Sequence, residues 1–191
     1  FYFDIRKDVL YCDEIKSSKR KISINLLSLI LDILLKWFAP ILSFTTEEIF
    51  QILNKNTSSS IHLEAFPNIP SKWENEKLFE KWNKLKTIRK VANAAIEVKR
   101  SSKDIGSSLE ADVQIYLGEE YLKLVKDIDL PEYFITSKVE AKTAINDDKL
   151  FQLDEVDNVK VLIKKAKGNK CSRCWKILQN PCERNNCGLK N

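Results

Sequence analysis

Several residue types are scarce in this 191-residue chain, which has one His, four Gly and no Met. A single His excludes a metal site built from several His side chains and any mechanism that needs two of them. The Gly residues cannot form a known phosphate-binding loop, because neither G-x-x-x-x-G-K-[ST] nor G-x-G-x-x-G occurs. The longest uncharged apolar run, residues 22–31, has 10 residues. A membrane span needs about 20, so we predict none.

The absence of Met leads us to expect further protein upstream of Phe1, because translation begins with Met. The composition favours a folded chain, and the sequence pattern does not predict a signal peptide. Hydrophobic residues make up 43% and charged residues of both signs 31%, which is enough for a core and argues against disorder. The length predicts one to two domains.

The formal net charge of +5 conceals segments of opposite sign. Residues 72–104 have 10 basic and 5 acidic groups, and residues 160–191 have 9 basic and 1 acidic. Between them, residues 105–159 have 5 basic and 13 acidic groups. The two basic segments are candidate contacts for a polyanion, although solvated surface lysines would give the same counts.

Helical periodicity dominates the first half of the sequence. Apolar residues recur every three or four positions in residues 1–16, 20–38 and from 44 onward, and again between Leu78 and Ile96. The second segment is so apolar that we expect it to be buried on most sides. Thr45 and Ser71 are predicted helix caps, and residues 61–64 are predicted to form a short extended segment. We therefore predict a helical domain over residues 1–103.

The period then changes to that of a strand. Apolar and polar residues alternate from 109 to 117, and we predict further strands at 133–139 and 159–163 with a short helix at 119–128. These elements predict a small α+β domain over residues 104–165.

Four of the five cysteines lie in the last 21 residues: Cys171, Cys174, Cys182 and Cys187. Paired cysteines separated by a short loop are typical of tetrahedral zinc. We therefore predict one zinc ion held by four cysteines in a tail over residues 166–191. Disulfides or free thiols are the alternatives, but disulfides suit secreted proteins. Cys12 is far away in the sequence on an apolar helix face, and we predict a core position.

Basic side chains surround the predicted zinc site. Arg173 and Lys176 are candidates for phosphate contacts, or they offset the charge of the thiolates. Trp175 is a candidate for stacking on a base, or it packs over its own knuckle.

Several motifs resemble the C-terminal part of bacterial isoleucyl-tRNA synthetases. Residues 3–11 (F-D-I-R-K-D-V-L-Y) and 39–49 (A-P-I-L-S-F-T-T-E-E-I) resemble motifs of that family, the latter in its anticodon-binding helical domain. Residues 60–63 (S-I-H-L), 105–111 (I-G-S-S-L-E-A) and 171–175 (C-S-R-C-W) resemble further family motifs, the last at the start of a zinc-binding tail. The A-P-I-L motif also occurs in valine and leucine ligases, so their equivalent segment remains an alternative.

The resemblance implies a mainly α fold. A partial helical bundle of the class I synthetase anticodon-binding type would precede the α+β unit and a zinc ribbon or knuckle. It also implies a cytoplasmic, monomeric enzyme that joins isoleucine to tRNA(Ile) with ATP. The signatures that handle ATP do not occur in this sequence, so catalytic residues are predicted to lie in an upstream domain. The chain alone is expected to bind tRNA without charging it.

The predicted partner is the anticodon stem and loop of tRNA(Ile). The basic residues of the long helix are the candidates for its phosphates: Lys84, Lys86, Arg89, Lys90, Lys99 and Arg100. A stand-alone zinc-ribbon adaptor that binds protein is a second hypothesis. A DNA-binding repair module is a third, supported by the cysteine tail alone.

Overall fold

A computed structural model describes residues 1–55, 58–145, 147, 149–180 and 182–184. The chain forms two compact units: Ile15–Glu74, and Phe1–Glu14 together with Asn75–Asn191. The predicted class, mainly helical with a small sheet and a C-terminal cysteine knuckle, is confirmed. The predicted domain boundaries at residues 103 and 165 stay a prediction. No helix in the described ranges is long and apolar enough to cross a membrane.

The smaller unit, called here the helical insertion, consists of residues 15–74. Helices α2 (Ser18–Phe38) and α3 (Ser43–Leu53) enclose a small core made of Leu35, Ala39, Phe50 and Ile61. The carboxylate of Glu47 on α3 accepts hydrogen bonds from the Ser60 hydroxyl at 2.7 Å and the Ile61 N–H at 2.9 Å. These bonds hold the loop after α3 against the helix.

The helical insertion differs from the sequence prediction in three ways. Helix α2 buries only Ser23 and Leu35, although its composition predicted burial on most sides. Helix α3 has no side-chain cap, so Thr45 is not the cap that the sequence predicted. The neighbouring Thr46 hydroxyl donates to the Leu42 carbonyl at 3.0 Å. Residues 61–63, predicted to be extended, form a 3₁₀ turn because the Ser60 side chain accepts from the His62 N–H.

The larger unit, called here the main unit, is built on two helices, α1 (Tyr2–Cys12) and α4 (Glu76–Ser101). The Asn75 side chain caps α4 by accepting from the Leu78 N–H at 3.0 Å, so Ser71 is not the cap. Most of the predicted apolar stripe of α4 is buried, although Leu78 is exposed. The buried face of α4 comprises Leu85, Ile88, Val91, Ala92, Ala95 and Ile96.

A three-stranded sheet packs against α4. Strand β1 (Ala111–Leu117) is central, β2 (Lys138–Thr143) pairs with it in parallel, and β3 (Val159–Lys165) pairs antiparallel. Every second residue of β1 is at most 1% exposed, so this face belongs to the core and the other face is the outer one. The alternation read from the sequence therefore predicted β1 and its buried face.

Two short helices, α5 (Glu119–Val125) and α6 (Leu130–Phe134), connect β1 to β2. The predicted strand at 133–139 is therefore wrong in its first part. Asp129 caps α6 by accepting from the Glu132 N–H at 3.1 Å, and Pro131 suits the first turn of a helix. The strand begins only after this helix has ended.

Candidate metal centre and basic surface

The cysteine knuckle, residues 168–180 and 182–184, is a tight hairpin. Strands β4 (Asn169–Lys170) and β5 (Ile177–Leu178) pair antiparallel, and the Cys171 N–H donates to the Lys176 carbonyl at 2.9 Å. Gly168 has a φ of +137°, and a Cβ there would lie 2.2 Å from the Leu178 carbonyl oxygen. The hairpin therefore requires glycine at this position.

Three cysteine sulfurs meet beside this hairpin. The Sγ atoms of Cys171, Cys174 and Cys182 all lie within 4.8 Å of one another. Cys171 and Cys174 are 1% and 6% exposed. Sulfurs that share a tetrahedral zinc ion at about 2.3 Å are separated by about 3.8 Å, so small side-chain rotations would let these three bind one metal ion. The fourth predicted ligand, Cys187, lies outside the described residues.

Cys12, predicted as a core residue, is buried. It lies beside the three cysteines of the knuckle, although it is far from them in the sequence. It is 5% exposed and packs in one cluster with Cys171 and Cys174. Its Sγ lies 3.8 Å from the Arg173 carbonyl oxygen. Burial and the neighbouring Asp8 carboxylate raise the pKa of the Cys12 thiol, which favours the neutral form.

Polar contacts join the knuckle to α1. The Arg184 guanidinium donates to both carboxylate oxygens of Asp8, at 2.8 and 2.5 Å, and lies 3.5 Å from Asp13. Burial alone would raise the pKa of Asp8, but the hydrogen bond and charge of Arg184 hold it below its ordinary value. We call these contacts, with those of Arg173 and Lys176 below, the α1 clasp.

Two of the predicted RNA contacts take part in this clasp. The Arg173 guanidinium donates to the Tyr11 carbonyl at 2.8 and 3.2 Å, and the Lys176 ammonium lies 3.8 Å from Asp8. Lys176 is only 12% exposed in its side chain. This arrangement could not be predicted from the sequence, because Asp8 and Arg184 are 176 residues apart.

Trp175 projects from the turn of the knuckle with a φ of +62° and 60% of its surface exposed. It helps to line a cavity of about 470 Å³ between α1, α6 and the knuckle. The lining of this cavity includes the apolar side chains of Pro131 and Ile135 and the ring of Tyr11. An exposed indole beside an apolar cavity suits the stacking of a flat ring.

The predicted basic residues of α4 make contacts of another kind. Lys84, Lys90 and Lys99 form ion pairs with Glu120, Glu155 and Asp104 at 3.8, 2.6 and 2.9 Å. Arg100 pairs with Glu97 of its own helix at 2.8 Å. In all four pairs both side chains are more than 40% exposed.

The other two predicted cations of α4 lie over aromatic rings. The Arg89 guanidinium is 5.1 Å from the ring centre of Phe1 and 5.8 Å from that of Tyr133. The Lys86 ammonium lies 5.8 Å from the Phe1 ring. Because these contacts use the aromatic faces, they do not themselves neutralise the positive charge of either side chain.

Comparison with known proteins gives consistent matches. Residues 1–115 match the family model described as "Anticodon-binding domain of tRNA ligase". The chain is 49% identical over 184 residues to the isoleucine–tRNA ligase of Pelagibacter ubique, covering 96% of the chain and 19% of the relative. It is 44% identical over 180 residues to the isoleucine–tRNA ligase of Bradyrhizobium diazoefficiens, covering 94% and 18%. The chain thus spans about a fifth of the length of these curated relatives.

Proposed function

The chain belongs to the anticodon-binding family of tRNA ligases, and we propose that it is the tRNA-binding C-terminal region of an isoleucine–tRNA ligase. The match to isoleucine–tRNA ligases along more than nine-tenths of the chain is the observation that carries this proposal. Joining isoleucine to tRNA with ATP would then take place in the remaining part of such an enzyme, in the cytoplasm, where tRNA is charged.

The proposed ligand of the main unit is the anticodon stem and loop of tRNA(Ile). The exposed ion pairs of α4 support this, because exposed pairs contribute little stability and a phosphate can replace the carboxylate partner. Lys84, Lys90, Lys99 and Arg100 would contact the backbone. Trp175 would stack on an unpaired base of the loop.

We also propose that the cysteine knuckle holds one structural zinc ion. Cys171, Cys174 and Cys182 would supply three thiolates, and Cys187 is the proposed fourth ligand. Bound zinc would cross-link a segment that has few apolar residues to form a core of its own. In this proposal, the cross-linked knuckle is held on α1 by Arg173, Lys176 and Arg184. Arg173 and Lys176 would also contact the RNA.

Titration of tRNA(Ile) against the whole chain at several salt concentrations tests the function. We expect binding that weakens steeply as salt rises, because each phosphate contact releases counterions. The matched control is the same tRNA with a substituted anticodon, which should bind more weakly at every salt concentration. An affinity that changes neither with the salt concentration nor with the anticodon would contradict the proposal.

A further inference from the structure

A cleft of about 570 Å³ separates the outer face of the sheet from the cysteine knuckle, within the main unit. On the sheet side, Lys138, Asp112 and Lys164 stand in one row across β2, β1 and β3. On the knuckle side, the Ile177 N–H donates to the Ser137 hydroxyl at 2.6 Å. This bond ties β5 to the segment just before β2, so both walls of the cleft are anchored.

The lining of the cleft is strongly basic. Its cations are Lys138, Lys164, Lys165, Lys167, Lys176 and Arg184. Its carboxylates are Asp112 and Glu183. Six cations and two carboxylates give a formal charge of +4. Zinc held by four thiolates would add −2 and would still leave the cleft positive.

The cations of the cleft fall into two groups. Lys138 pairs with Glu140 at 2.5 Å, while Lys176 and Arg184 belong to the α1 clasp. Lys164, Lys165 and Lys167 are exposed, and no salt bridge between described residues includes any of them. The hydrogen bond from Lys99 and the charge of Lys165 both lower the pKa of Asp104, so Lys165 already acts on a carboxylate. Lys164 and Lys167 form no ion pair between described residues, and an anion placed between these two positive charges would relieve their repulsion.

We propose that this basic cleft binds the phosphate backbone of the RNA. The inference rests on the proposed function and adds a contact surface that the basic residues of α4 do not provide. Among the described residues that line the cleft, none is aromatic, which favours phosphate and sugar contacts over base stacking. The side-chain amides of Gln179 and Asn180 can donate further hydrogen bonds to phosphate oxygens.

The test compares two double variants of the whole chain, each of which removes two exposed lysines. K164Q/K167Q neutralises the cleft, and K123Q/K126Q neutralises lysines of and just after α5, outside the cleft. Affinity for tRNA(Ile) is measured at several salt concentrations. We expect K164Q/K167Q to lose about tenfold at low salt and to reduce the slope of log K against log salt by about 1.5. We expect K123Q/K126Q to change affinity by less than about twofold.

A charge-preserving variant separates phosphate binding from a structural role. K164R/K167R should restore most of the lost affinity, because arginine also binds phosphates. If wild-type protein binds tRNA and the two glutamine variants lose equal affinity, the cleft inference is wrong and the proposed function stands. The inference also fails if K164R/K167R binds as weakly as K164Q/K167Q. Absence of wild-type binding would overturn both proposals.

Discussion

The cysteine knuckle and helix α4 both carry many positive charges, but their partners differ in burial. The side chain of Arg184 in the knuckle is 27% exposed, and that of its partner Asp8 is 17% exposed. The side chain of Lys90 on α4 is 62% exposed, and that of its partner Glu155 is 61% exposed. A partly buried charge that loses its partner costs far more than an exposed one. The knuckle therefore uses part of its charge to hold the structure, whereas α4 keeps its charge available to a polyanion.

The largest effect on the fold should come from removing a proposed metal ligand. This change tests whether the knuckle is held by a metal ion as well as by its ion pairs with α1. We expect Cys174→Ser to abolish binding of about one zinc ion per chain and to unfold the knuckle, because metal binding supplies its folding free energy. Helix α4 should remain folded. Metal analysis and hydrogen exchange measure the two outcomes.

Cys12→Ala is the matched control for this variant, since it removes a buried cysteine of the same cluster that is not a proposed ligand. It should keep the full zinc content. Loss of zinc in Cys12→Ala, or full zinc in Cys174→Ser, would contradict the assignment of ligands.

An intermediate effect is expected from the α1 clasp. Asp8→Asn removes the charge that faces Arg184 and should lower the free energy of unfolding by about 1–3 kcal/mol. Asp4→Asn is the control on the same helix, because its partner Lys7 is exposed and the pair should matter little. Chemical denaturation of both variants gives the comparison.

The effect of Asp8→Asn should depend on pH. Arg184 holds the pKa of Asp8 below the ordinary value of 3.8, so the ionised carboxylate stabilises the fold at neutral pH. This contribution is fully present above about pH 5 and is lost as the pH falls through the lowered pKa of the folded state. The stability difference between wild type and Asp8→Asn should therefore shrink below about pH 4. A difference that stays constant down to pH 2 would exclude the ionised clasp as its cause.

Sequence reasoning predicted the local features of this chain better than its long-range contacts. Strand β1 and the buried stripe of α4 were predictable because a repeating pattern marks them in a single segment. Helix α6 differs from the predicted strand because Tyr133 and Phe134 favour strands by residue type, whereas the Asp129 cap starts a helix there. The position of Cys12 beside the knuckle could not be predicted, because it depends on how α1 and the knuckle come together.

The comparisons confirm the resemblance to tRNA ligases that the motifs indicated. The candidate RNA contacts of the sequence rest on residue type and charge, which do not reveal the partners of each side chain. The structure shows that Arg173 and Lys176 have partners on α1, while the α4 lysines have exposed carboxylate partners. The lysines of the basic cleft belong to the basic segment 160–191, but the sequence does not single them out as one contact surface, because β3 and the knuckle adjoin only in the folded chain.

The smallest effect on stability, and the sharpest test of the comparison, is expected at the exposed pair of Lys90 and Glu155. Lys90→Gln and Glu155→Gln break the same 2.6 Å contact, so each should change the free energy of unfolding by less than about 0.5 kcal/mol. Their effects on tRNA affinity should have opposite signs. Lys90→Gln removes a positive charge and should weaken binding about threefold to tenfold, whereas Glu155→Gln removes a competing carboxylate and should strengthen it. Fluorescence anisotropy at fixed salt measures both. Equal losses of tRNA affinity in the two variants would mean that the ion pair itself is needed for binding. The charge of α4 would then serve the structure, as part of the charge of the knuckle does.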